Sequence, residues 1–209
     1  GILRIDDIVV EDVTEVFHRD MMNWVDVRDF GAIGDGVIDD SAAFEAADQA
    51  AQGRRVLVSK GTYHLGQSVT LDSRIQFEGR VTMPDAAILS LTKDFDLPKY
   101  IDAFGGDEEL ALKKALQALM NNADHESLDM GGRRVSLFAP VDLRAAVPNR
   151  PSYAQRRVLR NGQLRAEGSS AWTPDVVTSR ATYAASNQWR LTDVDNIANV
   201  PVGALVEGA

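Results

Sequence analysis

A mainly β fold of short, closely spaced strands with a few short α-helices set against them is what this 209-residue sequence predicts, on three observations. After Gly66 the chain breaks into alternating pieces, SVTL, RIQFEG, RVTM and AAILSL, separated by Asp, Gly or Pro, as strands joined by tight corners do. Two stretches rich in alanine and leucine, with apolar residues at helical spacing, follow the Phe-Gly loops Phe30-Gly31 and Phe104-Gly105. Content that is 44% apolar and 25% charged is that of a globular chain. Strands this short bury little unless they stack, so stacked rungs are the economical arrangement.

Composition removes several classes of function. There is no cysteine, which excludes disulfides, thiolate metal sites and cysteine nucleophiles. The formal net charge is -9, and the arginine pairs Arg54-Arg55, Arg133-Arg134 and Arg156-Arg157 are too scattered along the chain for a basic face, so no nucleic-acid partner is expected. No apolar run approaches the ~18 residues of a membrane span. The opening GILRIDDIVVEDV lacks the basic flank and long apolar stretch of a signal peptide, so a soluble chain is expected, with any export by another route.

The elements follow in order. Residues 1–23 read as a lead-in arm, with ILRIDDIVV a short strand and VTEVFHRDMMN an amphipathic stretch. A strand from Trp24 to Arg28, a glycine loop and a helix from Ser41 to Gln52 come next. Asp39 or Asp40 would cap that helix because a short carboxylate accepts free amide hydrogens, and Gly53 would end it; Phe44, Ala47 and Ala51 share one face. RVLVSKGTYHL reads as strand, Lys60-Gly61 turn, strand. The pattern then restarts: YIDAFGG as strand and loop, a helix capped by Asp107 with a buried stripe of Leu112, Leu116, Leu119 and Met120, and a strand after the glycines. The string GRRV occurs at both Gly53 to Val56 and Gly132 to Val135, which predicts an internal repeat with a second cap-like unit. RRVLRNGQLRAEG gives two strands around a tight corner at Asn161-Gly162, and TYAASNQWRLTDVDNI and VPVGALVEG read as further short strands. The domain expectation is therefore an arm (1–23), a cap with first rungs (24–98) and a second cap-like unit with further rungs (99–209).

The string DFGAIGDGVIDDSAAFEAA resembles the start of the pectate-lyase superfamily domain, whose pattern is V-x-D-F-G-A-x-G-D-G-x-x-D-D-T-x-A, then a helix, a strand and G-x-Y. Val27, Asp29, Phe30, Gly31, Ala32, Gly34, Asp35, Gly36, Asp39 and Asp40 match, Ser41 stands for the usual Thr, and Gly61-Thr62-Tyr63 supplies the later element. The resemblance is specific over Val25 to Leu71, while YIDAFGG lacks the DGxxDD half. It implies the start of a right-handed parallel β-helix capped by short α-helices, as in polygalacturonases, related polysaccharide lyases and phage tailspikes. It also implies that the loop and helix close the end of the coil and that the matched aspartates hold the turn rather than do chemistry.

Rival readings of single residues are weaker. GAIGDG carries dinucleotide-loop glycines in reverse order, without a following Gly-Lys-Ser/Thr, and Asp35, Asp39 and Asp40 would repel phosphate. The same aspartates lack the alternating ligands and terminal Glu of a calcium loop. His18, His64 and His125 fall in different units with no second histidine at ligand spacing, which leaves no support for a metal or a Ser-His-Asp site. Asp193 and Asp195, read as sharing one face of a strand, are the faint candidates for a carboxylate pair; Trp172 and Trp189 could stack on sugars.

No catalytic, cofactor-binding or metal residue is therefore assigned and no cofactor is expected, so glycan hydrolase or lyase chemistry would lie in rungs beyond this chain. The expected function is a structural spike component of a phage or phage-like particle, a tailspike or head spike, binding host-surface polysaccharide. The alternative is the N-terminal part of a secreted polysaccharide-degrading hydrolase or lyase. A homo-oligomer is expected, a trimer by the resemblance, contacting other particle proteins through the arm, where Ile2, Leu3, Ile5, Ile8, Val9 and Val10 exceed what a small domain can bury. The location would be the virion, or otherwise extracellular.

Overall fold

Eight of the short strands return to three parallel ladders. In the computed structural model, which describes residues 21, 23–121, 125–142, 156–168, 170–173, 175–201 and 204–208, these are β1 (Trp24–Asp26), β2 (Asp35–Asp39), β3 (Arg55–Val58), β4 (Thr62–His64), β5 (Val69–Leu71), β6 (Arg74–Phe77), β7 (Arg80–Thr82) and β8 (Leu89–Leu91). The ladders run β1-β3-β6, β2-β4-β7 and β5-β8, every pair parallel. Arg55 pairs with Arg74, Thr62 with Arg80 and Val69 with Leu89, so the chain comes back to the same place after 18 to 20 residues. Stacking follows from pleat alternation: Val56 on Ile75, Val58 on Phe77, Tyr63 on Val81 and Leu71 on Leu91 are all buried. Each such side chain contributes about 1.5–3 kcal/mol of burial.

The described residues fall into two compact units, Gly1–Glu167 and Gly168–Ala209. Within the first, α1 (Ser41–Ala51) buries Ala43, Phe44, Ala47 and Ala51, and Phe44 meets Tyr63 edge-on at 5.5 Å. Asp48 on this helix accepts from the backbone N–H of Asp72 (3.0 Å) and Ser73 (2.8 Å), fixing the helix to the corner after β5. The helix ends at Gln52, left-handed at φ 46°, with Gly53 following at φ 92°. The expected first strand stops at Asp26, and Val27–Phe30 forms a 3-10 turn because the Asp26 carboxylate draws in the Arg28 N–H.

The second cap-like unit differs from the expectation. YIDA is not a strand: it lies in α2 (Leu97–Ala103), where Leu97, Tyr100, Ile101 and Phe104 are buried at helical spacing. Asp96 accepts from Lys99 N (2.9 Å), Pro98 sits in the first turn, and the Tyr100 hydroxyl donates to Leu89 O (2.7 Å), which together select helix over strand. α3 (Glu108–Asn121) is capped by Asp107, whose carboxylate accepts from Leu110 N at 3.0 Å; Leu112, Leu116 and Leu119 are buried and Met120 is half-buried. Lys114, 3% exposed, donates to the carbonyls of Pro84 (2.7 Å), Asp85 (3.1 Å) and Ala87 (2.8 Å), and Gln117 donates to Asp85 O. Helix α3 thus holds the loop before β8.

Four strands follow, β9 (Ser127–Asp129), β10 (Arg134–Leu137), β11 (Val158–Arg160) and β12 (Gln163–Ala166), with β9 parallel to β11 and β10 to β12. Both copies of GRRV lead into a strand, β3 and β10, but β9 intervenes between α3 and the second copy, so the two units share an outline and not an element order. The second unit, Gly168–Ala209, holds the 3-10 turns Ser170–Trp172 and Ile197–Asn199 and the antiparallel hairpin β13 (Thr182–Ala184) and β14 (Asn187–Thr192). The strand expected over VPVGALVEG is absent among its described residues, 200–201 and 204–208. The lead-in arm, apart from Met21 and Asn23, lies outside the described residues, and no helix among the described residues is long and apolar enough to cross a membrane.

Candidate functional site

The aspartates of the glycine loop are spent on backbone. Asp40 accepts from Ile33 N (2.7 Å) and Gly34 N (3.1 Å), one with each carboxylate oxygen, and its own carbonyl starts α1. Asp39 accepts from Ser41 N (3.0 Å), Gly66 N (2.9 Å) and the Ser41 hydroxyl; Asp35 accepts from Val37 N (2.8 Å) and Ile38 N (3.0 Å). Donors on this scale stabilise the charged form, so Asp39 is held down to about 2, first by the Ser41 hydroxyl and then by the amides, and Asp35 is lowered by the amides of Ile38 and Val37. Asp40 occupies the N-cap position without a side-chain cap bond, and Asp39 bonds the first turn instead.

Beneath the loop, Asp26 accepts from the Ser59 hydroxyl (3.1 Å), Ser59 Oγ lies 3.2 Å from Tyr63 Oη, and Arg28 donates to Tyr63 Oη (2.9 Å) and to Lys60 O (2.8 Å). Gly34 crosses this network at φ 70°, where a Cβ would come within 2.8 Å of the Tyr63 ring. The loop is a closed hydrogen-bonded corner, and its side chains are turned to holding the first circuit together.

The sequence candidates for chemistry do not converge. Asp193 and Asp195 do not share a strand face: β14 ends at Thr192, Asp193 is left-handed at φ 52°, and that residue breaks the period-two alternation on which the pairing rested. His18 lies outside the described residues. His64 Nδ1 lies 3.4 Å from Thr82 Oγ1, and His125 stacks on Phe95 at 4.3 Å. Trp172 is half-buried, whereas Trp189 is 96% exposed. Among the described residues no group of three or more His, Cys, Asp or Glu is placed to hold a metal.

Two groupings escaped the sequence reading. Asp96 and Asp129 are parallel bridge partners with Asp94 close by. Burial raises the Asp96 carboxyl, with the charges of Asp94 and Asp129 adding to it, while the Gly131 N–H, the Asn161 amide and Arg160 lower Asp129. Opposed shifts on neighbouring carboxyls are what acid–base chemistry requires. Each of these groups also holds backbone in place, since Asp96 caps α2, Asp94 accepts from Ile75 N (2.8 Å), and Asp129 accepts from Gly131 N (2.8 Å) and Asn161 Nδ2 (3.0 Å). The Asp-Leu-Pro start of α2 was the available sequence signal. The second grouping is a groove of about 300 Å³ lined by Gly132, Arg133, Arg134, Asn161, Gly162 and Gln163.

Stacked parallel strands closed by a helix-bearing aspartate loop define a class: a mainly β, pectate lyase-like domain. Residues 24–125 match the family model described as rhamnogalacturonase A/epimerase, pectate lyase-like, and this segment is a unit of the pectate-lyase superfamily. No curated protein and no solved structure is significantly similar to the chain.

Proposed function

We propose that the chain builds the start of a right-handed parallel β-helix and serves as a structural spike component of a phage or phage-like particle, a tailspike or head-spike subunit. It attaches through residues 1–23 to other particle proteins, works as a homotrimer in the virion, and presents its stacked strands to host-surface polysaccharide. The observation that carries this reading is the exposed apolar face of the second unit. Tyr183 pairs with Leu191, Trp189 lies on the same strand between the Leu191 and Asn187 pairings where the register shifts, and the three are 58%, 42% and 96% exposed in the order Tyr183, Leu191, Trp189. A lone two-stranded hairpin is marginal in water, and a subunit contact gives this face a surface to pack on. Phe30, Ile33, Val37 and Ile38, exposed on the first circuit, add a second such surface.

The second reading, the front part of a secreted polysaccharide-degrading hydrolase or lyase, is favoured by the description of the matched family and by the Asp96–Asp129 pair. Light scattering on the full chain and on Trp189→Ala, with reducing-end and unsaturated-product assays on acidic polysaccharides, separates the two. The spike reading expects a wild-type oligomer weakened by Trp189→Ala and no turnover. A wild-type monomer at micromolar concentration refutes it, and turnover abolished by Asp96→Asn or Asp129→Asn puts the enzyme reading first.

A further inference from the structure

The corner stacked from Gly131–Arg134 and Asn161–Gln163 has a chemistry that neither reading uses. Between Met130 and Ala166 the sequence holds eight arginines and one acid, Asp142, although the whole chain carries a net charge of -9. Among the described residues, Arg133 meets Glu108 (3.0 Å), Arg160 meets Asp129 (3.0 Å) and Arg165 meets Glu167 (3.4 Å). Arg134 has no carboxylate partner among the described residues and is exposed on the groove. Its partner on the neighbouring parallel strand is Gln163, so a guanidinium and a primary amide leave the same side of adjacent strands about 4.8 Å apart.

The groove is kept open by its glycines. Gly131 and Gly132 turn the first corner at φ 63° and 76°, and a Cβ on Gly162 would lie 2.4 Å from Met130 Cβ, so the two corners pack backbone to side chain with nothing rising between the arginines and the amides. A guanidinium offers its donors in a planar fork that matches an oxyanion with two parallel hydrogen bonds, and a neighbouring amide N–H completes the set. We propose that this corner binds a single oxyanion, a carboxylate, sulfate or phosphate group of a ligand. Arg134 is the ion-pairing donor, Arg133 a second cation shared with Glu108, and Gln163 a neutral donor. The site is separate from the aspartate loop and stands whether the chain is a spike or part of an enzyme.

The test is a titration of the ¹⁵N-labelled full chain at low ionic strength with sodium phosphate, sodium sulfate and sodium glucuronate, with sodium chloride as the ionic-strength control. Saturable amide shifts centred on Gly132, Arg134, Gly162 and Gln163 are expected, with affinity reduced about tenfold or more by Arg134→Ala and unchanged by Arg74→Ala, an exposed arginine on β6. Unchanged circular dichroism and melting of Arg134→Ala establish that the loss is local. Tighter glucuronate assigns the group as a sugar carboxylate; tighter phosphate or sulfate assigns a tetrahedral oxyanion. Equal losses in Arg134→Ala and Arg74→Ala, or no saturable shift at this corner with any of the three salts, overturn the proposal.

Discussion

Replacing Asp40 by alanine tests whether the aspartate loop is architecture. The Asp40 side chain is 2% exposed and accepts the Ile33 and Gly34 amides, one per oxygen, at 2.7 and 3.1 Å. Hydrogen bonds to a charged group are worth about 1.5–3 kcal/mol each, and because Ile33 is exposed its freed amide regains water, so the lower part of the summed range applies, about 3–4 kcal/mol for Asp40→Ala. Asp40→Asn retains one acceptor oxygen and should lose about half as much. Urea unfolding followed by circular dichroism reads both as a lower midpoint at unchanged slope, and thermal melting as a fall of about 5–15 °C for the alanine variant. The reasoning is refuted if Asp40→Ala stays within about 0.5 kcal/mol of the wild type, or if it stays stable yet loses a bound metal or sugar.

Lys114→Met keeps the apolar stem and removes the ammonium that three carbonyls share; only the bond to Ala87 O is fully buried, so a loss of about 1–3 kcal/mol in urea unfolding is expected, and a neutral result contradicts its role in holding the loop before β8. Burial lowers the Lys114 ammonium, so the folded chain gives up that proton first; stability relative to Lys114→Met should rise as pH climbs from the depressed value through the ordinary lysine value of 10.5, and a flat difference contradicts the assignment. Asp39 is depressed to about 2, so its contribution is complete above the ordinary value of 3.8 and is lost as pH falls through about 2; Asp39→Asn should remove that acid-dependent loss, read by NMR titration and acid unfolding. Tyr100→Phe deletes the bond to Leu89 O while keeping the ring, and should cost about 1 kcal/mol in urea unfolding; no change would mean the hydroxyl does not help fix α2.

How much of this was legible depended on the range over which each signal acts. The short strands β5 to β8 and the corner aspartates were readable because pleat alternation and capping are local. The stretch YIDA was misread because a tyrosine and an isoleucine favour strands when taken alone, while the helical spacing of Leu97, Tyr100, Ile101 and Phe104 and the Asp96-Leu97-Pro98 start show only in a longer window. Asp193 failed for the opposite reason: a left-handed backbone at one residue is enough to end a strand whose sequence still alternates.

The arginine corner was out of reach of any reading along the chain. Arg134 and Gln163 are neighbours because parallel strands stack, and the 28 residues between them in sequence hide a contact that register alone creates. Three arginine pairs counted in sequence order look dispersed, yet the second pair opens β10, the third leads into β11, and the corner after β11 lies over the corner before β10, where Gly132 N donates to Asn161 O at 2.7 Å. In such a fold, charge accumulates by column rather than by run. The acidic residues are distributed differently: in the first circuit Asp35, Asp39 and Asp40 are turned onto backbone amides, which leaves their charge locally compensated, whereas Arg134 is left with no carboxylate to meet among the described residues. An acidic chain can therefore carry a cationic groove without contradiction, because net charge fixes the far field and the stacking register fixes what an approaching anion meets at contact.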